Sequence, residues 1–329
     1  MAAARYRLLG EIQHRNDRIR LHLVVIETAS GEQVWSRMYD RPFEEMTAIA
    51  DESTADLAKA LAVKVTEAEA ARIRRRDTNS AEAYDLFLRA QSNLLVRRKE
   101  ENLHARRLYS QALALDPAFA RALGGIALTY AAEYRNRWAS DGDSALALSK
   151  ETAKQAAALN PELPEVLWVL AYVHVREGDH DSALGYLNRS IALDPSFADA
   201  YALKGSVMTY KGKPADAIQL LSRAMRLNPR AGYRYRLSLG RAFFYLEDNG
   251  HAIRNLREAA ARNPANLEVR LYLAAALFHG GDQEAADWEA LEIANLEADF
   301  STSGWLRTHP IREPDQIERL TAALQGLGL

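Results

Sequence analysis

Five Asx-Pro steps punctuate the chain: Asp116-Pro117, Asn160-Pro161, Asp194-Pro195, Asn228-Pro229 and Asn263-Pro264, with prolines 44, 34, 34 and 35 residues apart. A recurrence near 34 residues predicts a helical solenoid, whose units bury their apolar faces only by stacking on neighbours. Such an architecture offers a surface for holding a partner and argues against a buried catalytic centre. Everything after about residue 80 reads as helix, each unit being a helix, a Gly/Asp turn, a second helix and a closing Asx-Pro.

The clearest unit is Pro164–Pro195, with Gly178 and Asp179 in its turn and Ala183, Leu187 and Ser190 on the inward face of its second helix. Ala217, Leu221 and Ala224 hold the same offsets before Pro229, as do Ala252, Leu256 and Ala259 before Pro264. Small residues at those offsets let helices approach closely, and Gly205 and Gly240 are expected where two helices touch. A sixth unit runs from Leu267 through Gly281 and Asp282 to about Ala298 without a closing proline. The unit before Pro161 is ten residues long of the period, and the extra length is assigned to Arg135–Ser144, between its helices. Phe300–Leu329, with Pro314 opening an amphipathic helix, reads as the terminal cap that a solenoid requires.

The first forty residues follow a different period. Tyr6, Leu8, Gly10 and Ile12 alternate with polar neighbours, and His14–Asp17 makes a turn. Ile19, Leu21, Leu23 and Val25 alternate again, and Ala29–Gly31 turns into Val34–Tyr39. Three strands joined by tight turns make an antiparallel meander with one apolar face. From Phe43 the spacing of Met46, Ala50, Ser53, Leu57, Leu61 and Val65 is helical, which predicts one long helix over Glu44–Arg76. Glu44 and Glu45 at its start and Arg72, Arg74, Arg75 and Arg76 at its end complement the helix dipole, so that arginine cluster reads as a solvated helix end. Asp77–Ser80 is a polar break in which Asn79 and Glu82 fit a capping pair.

Composition narrows the function classes. The chain of 329 residues has 42 basic against 44 acidic side chains, which gives no electrostatic reason to expect nucleic acid or an anionic membrane. It has no cysteine, so disulfides and thiolate chemistry are excluded. No apolar run is long enough for a membrane-spanning helix. The chain as written reads as soluble and cytoplasmic, or periplasmic if it is part of a longer membrane-anchored protein.

The offsets of the repeats, with Gly205, Ala217 and Pro229 in phase and then Gly240, Ala252 and Pro264, resemble the tetratricopeptide repeat. Arg236 and Arg270 depart from that pattern at a position usually large and apolar. The resemblance implies a right-handed solenoid whose first helices line a concave groove. Ala4–Glu11, Asp17–Arg20, Thr28–Gly31 and Val34–Asp40 look like the second half of a TolB-like N-terminal domain. That domain precedes tetratricopeptide repeats in bacterial class III adenylate cyclases and winged-helix regulators. Phe300–Pro310, with Arg319 and Leu320, is similar to the tail of the cyclase-associated group. The segments that would carry catalysis in such relatives have no counterpart here, so only a regulatory or interaction role follows from the resemblance. The missing first half of the TolB-like domain implies uncovered sheet, and with it self-association through residues 5–40 or disorder there.

The eight histidines form no H-x-x-x-H or H-E-x-x-H arrangement. The nearest cluster, His174 with Asp179, His180 and Asp181, reads as packing and turn residues rather than a metal site. Gly124-Gly125 lacks the lysine of a phosphate loop. No catalytic, cofactor or metal residue is expected. In the groove, residues at i, i+4 and i+7 of each first helix share a face. Those faces carry Trp168 and Tyr172, then Tyr210, then Arg234, Arg241, Phe244 and Tyr245, then Phe278, residue types that dominate binding hot spots. Arg234 and Arg241 could grip a carboxylate with their planar forks.

The sequence thus predicts a mainly α protein in three parts: an α/β unit over residues 1–76, repeats over 79–299 and a cap over 300–329. Its expected function is non-catalytic: a protein-interaction scaffold or sensory module of bacterial signalling, with a protein or peptide in the groove. The alternative is the C-terminal regulatory part of an adenylate cyclase or transcriptional regulator whose effector domain lies outside this chain.

Overall fold

The computed structural model describes residues 5–61 and 77–329. Alternation in the first forty residues becomes a meander of three strands, β1 (Tyr6–Arg15), β2 (Arg18–Glu27) and β3 (Gln33–Pro42), in the order β1-β2-β3. Asn16 takes a positive φ of 52° between β1 and β2, and Gly31 one of 73° before β3, so each turn sits on a residue that tolerates it. The pairing Ile12↔Leu21↔Tyr39 puts the alternating apolar set on one face. A short 3-10 turn, Phe43–Glu45, leads into α1 (Met46–Ala60), whose Ile49 packs on Ile19, Leu23 and Tyr39. Leu61 caps this helix, and the rest of the helix expected to Arg76, with its arginine cluster, lies outside the described residues. Leu8 and Ile12, on the apolar face of β1, remain 48% and 64% exposed.

From Asp77 onward every regular element among the described residues is helical. The pairs are α2 (Ala81–Val96) with α3 (Lys99–Leu115), α4 (Ala120–Arg135) with α5 (Gly142–Leu159), and α6 (Pro164–Glu177) with α7 (His180–Leu193). They continue as α8 (Ala198–Tyr210) with α9 (Pro214–Leu227), α10 (Tyr233–Tyr245) with α11 (Asn249–Arg262), and α12 (Leu267–His279) with α13 (Gln283–Leu296). Helices α5, α7, α9 and α11 each stop at or just before the Asx of an Asx-Pro step, as the prolines require. The first helix begins with Ser80 rather than Asn79 as its cap: the Ser80 side chain accepts from the Ala83 amide.

The inward triads Ala183/Leu187/Ser190, Ala217/Leu221/Ala224 and Ala252/Leu256/Ala259 are fully buried. A β-carbon on Gly205 would lie 2.7 Å from Leu221 Cγ, and one on Gly240 would lie 2.5 Å from Leu256 Cγ, so both glycines mark close helix contacts. Arg236 and Arg270, which break the apolar pattern, hold ion pairs to the second helix of their own units. Arg236 Nε reaches Glu258 at 2.9 Å, and Arg270 reaches the equivalent Glu292 at 3.3 Å and also Glu289 at 2.8 Å. The extra length before Pro161 is not confined to the loop: α4 has 16 residues and α5 has 18, against 14 each for α6 and α7, and residues 136–141 form a longer turn.

The last thirty residues do more than close the end. They form α14 (Thr302–Leu306), an extended stretch, and α15 (Pro314–Gly326), and they run back along the inner side of the stack. Tyr134 Oη donates to the Arg307 carbonyl, Gln316 Nε2 to the Thr209 carbonyl at 2.8 Å, and Arg319 Nε to the Phe244 carbonyl at 3.1 Å. His279, at the end of α12, meets the Arg319 carbonyl at 3.1 Å. The tail therefore crosses the C-terminal ends of the first helices α4, α8, α10 and α12 in turn. Leu320, Ala323 and Leu324 are fully buried in the core of the last units, and Ile311 is buried against Ala171, Val175 and Tyr210.

Candidate functional site

The inner side of the solenoid is divided in two by this tail. Its C-terminal half is filled. Phe244 is fully buried beneath Arg319, whose guanidinium lies 4.9 Å from the ring centroid. Tyr245 shares a 2.9 Å hydroxyl contact with Tyr272, and the Phe278 ring lies against Gly326. Phe244 and Phe278 are thus covered by the chain's own C-terminus, while Tyr245 is tied to the first helix of the next unit. Nothing local in the sequence signals that cover.

Tyr210 and Arg241 belong to a buried polar network below it. Arg241 is 4% exposed and donates to the Tyr210 hydroxyl, to Glu268 Oε1 at 2.7 Å and to Ser238 Oγ at 3.2 Å. Glu268 also accepts from Arg135 Nη2 at 2.5 Å, and His309 Nε2 stands 3.4 Å away. Burial works against the Glu268 carboxylate, but Arg241 and Arg135 outweigh it and hold the group well below the usual carboxylate range. Arg241 is therefore committed inside the protein, because a buried guanidinium needs a paired carboxylate. Sequence reasoning missed Glu268, yet it is the sole acid in the mostly apolar helix α12 and shares an inner helix face with Leu271, Ala275 and Phe278.

The other half of the inner side is open. A cavity of about 940 Å³ lies between the first helices, and Trp168, Tyr172 and Arg234 are among the residues that line it. Contacts across it join distant units: Arg97, just past α2, donates to the Tyr233 hydroxyl at the start of α10, and Arg137 pairs with Glu297 at 2.5 Å. Trp168 stacks on Tyr172 with centroids 5.5 Å apart and anchors its indole N–H on the Asp199 carbonyl at 3.1 Å. Among the described residues no group of three or more His, Cys, Asp or Glu side chains could hold a metal ion. His174 pairs with Asp179 at 3.1 Å across the turn between α6 and α7. No helix among the described residues is long and apolar enough to cross a membrane.

Two histidines make the tail's seat acid-sensitive. Burial, reinforced by Arg312 and Lys211, holds His180 down at about 4. Burial also holds His309 at about 4, with Arg241 and Arg176 acting the same way and Glu268 opposing. The unfolded chain takes up protons near the ordinary 6.5, whereas the folded chain resists them until about 4. Stability is therefore full above pH 6.5 and drains away as pH falls through this window, by on the order of 3 kcal/mol for a fully buried group such as His309. Thermal melts should show Tm falling steadily from pH 7 to pH 4.5, and a flat profile would contradict the assignment.

The stacked helix pairs define a tetratricopeptide-type solenoid preceded by an antiparallel three-stranded sheet. The family model described as tetratricopeptide repeat matches residues 142–198 and 237–298. A crystal structure of the APC/C hetero-tetramer Cut9-Hcn1 shares the fold, with a TM-score of 0.54 and 16% identity over 82% of this chain and 54% of that one. A Rhizobium meliloti (strain 1021) protein provisionally named adenylate cyclase 3 is 29% identical over 167 residues, which is 51% of this chain and 28% of the relative. The photosystem I assembly protein Ycf3 of Acaryochloris marina (strain MBIC 11017) is 31% identical over 28% of this chain and 58% of its own length. The chain thus spans less than two thirds of each of these curated relatives. Repeats of this type are generally non-enzymatic scaffolds that bind protein partners.

Proposed function

We propose that this protein is a non-catalytic interaction module of a bacterial signalling protein and holds a protein or peptide in the open half of its inner groove. One observation carries the reading: the cavity of about 940 Å³ walled by first helices, which Trp168, Tyr172 and Arg234, three of the eight predicted groove residues, line. Aromatic and arginine side chains in a concave site are the groups from which interaction hot spots are built. A photo-crosslinking amino acid placed at position 168 should trap a protein partner in cells. The same amino acid at position 148, where Leu148 is exposed on the second helix of its unit, should not. Adducts from both positions alike, or from neither, would sink the reading.

The second reading, a regulatory region attached to a cyclase or transcription-factor effector, is favoured by the match to the Rhizobium meliloti protein, 72% of which lies outside the matched region. The TolB-like likeness of residues 4–40 supports the same reading. We also propose that β1 pairs with a second copy, since among the described residues its outer edge has no strand partner and Leu8 and Ile12 stand exposed beside it. Sedimentation should then show a dimer that Ile12→Lys converts to monomer; a native monomer would refute self-association.

A further inference from the structure

The open cavity carries more positive charge than its own carboxylates use. Arg135, at the end of α4, is matched by Glu268, and Arg137 by Glu297. Three further guanidiniums reach the same wall from different units: Arg97 after α2, Arg176 near the end of α6 and Arg234 at the start of α10. Among the described residues none of the three has a carboxylate partner. Arg97 donates to the Tyr233 hydroxyl and lies 4.8 Å from its ring centroid. Arg176 is 7% exposed, its Nε has no hydrogen-bond partner, and its guanidinium lies 5.2 Å from the Tyr172 centroid. Arg234 approaches the same ring from the other side of the groove, at 6.0 Å.

Such an arrangement is costly unless something offsets it. An unpaired buried cation loses hydration, and like charges drawn to one point repel more strongly away from bulk water. The surroundings register that field. Burial alone would push the Tyr172 hydroxyl up, yet Arg176, Arg135, Arg234 and Arg97 together pull it down to about 7. Burial, then the neighbouring Arg234, draw the Arg97 guanidinium down to about 10. A second group of arginines, around Glu268, shows how this protein normally settles such charge: with a carboxylate at 2.5–2.7 Å. Among the described residues around Tyr172, Glu165 and Asp199 line the same cavity but form no such ion pair with Arg97, Arg176 or Arg234.

We infer that the Arg97, Arg176 and Arg234 guanidiniums form a binding site for an oxyanion group, a phosphate or a carboxylate, carried by a ligand that enters the cavity. Three planar forks can each donate to oxygens of one tetrahedral or trigonal anion, and the Tyr172 hydroxyl stands ready as a further donor. Trp168 and Phe197, which line the same cavity, offer an apolar wall for the rest of the ligand. A volume of about 940 Å³ is in the range that encloses small ligands, and it also admits the end of a peptide chain. The inference is independent of the crosslinking result above, because it requires no macromolecular partner.

The probes are pyrophosphate, inorganic phosphate and a short peptide ending in aspartate, each titrated calorimetrically into the full chain. Binding by at least one is expected, weakened at least tenfold by Arg234→Ala and by Arg176→Gln, and weakened by added salt. A spectroscopic readout separates binding from a merely structural role. The phenolate absorbance of Tyr172, isolated by difference from Tyr172→Phe, should titrate near neutral pH in the free protein and move to higher pH when the anion is bound. Phosphate without peptide would identify a phosphate-bearing small ligand, and peptide without phosphate would identify a chain end. No heat from any probe at millimolar concentration, or equal affinities for the native chain and Arg234→Ala, would overturn the site. Arg234 is partly exposed, so that variant remains informative even if Arg176→Gln fails to fold.

Discussion

Replacing Glu268 by alanine is expected to destabilise the fold by about 3–5 kcal/mol, the range seen when one partner of a buried ion pair is removed. The carboxylate is buried and faces Arg241 at 2.7 Å and Arg135 at 2.5 Å, with His309 at 3.4 Å. Its loss leaves two guanidiniums without a counter-charge in a region that water reaches poorly. Arg241 and Arg135 stand on different units, α10 and α4, so the damage reaches well beyond α12. Urea denaturation with an unchanged slope would measure it. The cause can be separated from simple cavity formation, because Glu268→Leu combined with Arg241→Met should recover part of the loss by removing charge on both sides. A single-substitution effect under 1 kcal/mol would show that the carboxylate is not what holds these arginines.

Trp305→Ala should cost a similar amount, about 3–5 kcal/mol, for a different reason. Trp305 is 7% exposed, lies 4.2 Å from the His309 ring and 6.3 Å from the Tyr272 ring, and belongs to the core of the last units. It is the first large anchor of the segment that returns along the groove. Removing it should loosen residues 300–313 before the repeats themselves melt. Amide exchange would therefore accelerate at His309 and Ile311, whose amides are bonded within this segment, more than in α8 or α9. Unchanged protection of the tail, with only a uniform fall in Tm, would mean that the tail is held elsewhere.

Much of this architecture was legible because it is local. Strand alternation, Asx-Pro punctuation and the small residues at Ala183, Ala217 and Ala252 each act over a few residues or one period, and the structure follows them. The return of the tail was not legible. Gln316 meets Thr209 across 107 residues and Tyr134 meets Arg307 across 173, and no periodicity in the intervening sequence encodes such contacts. Phe244 and Phe278 therefore read as a groove lining, when they are the bed on which the tail lies. Arg241 was misleading in a related way. Its partner, Glu268, stands on the next unit, 27 residues on, and a sequence scan of one helix face sees the cation without its counter-charge. Trp168, Tyr172 and Arg234, read as groove residues with the others, line the open cavity because they occupy early and middle turns of first helices, away from the ends that the tail crosses.

The bonds across the groove change how the molecule can come apart. A simple stack of repeats behaves as a one-dimensional array, in which either end can fray while the middle persists. Here Arg97 ties the first pair to the fifth through Tyr233, and Arg135 ties the second to the sixth through Glu268. The array is thereby closed into a loop of interactions. Loss of the first pair removes support from the fifth, and loosening the sixth is felt at the second. Cooperativity in this chain consequently depends on chords drawn across the superhelix as well as on neighbour-to-neighbour packing, and a ligand bound among those chords would stiffen both ends at once.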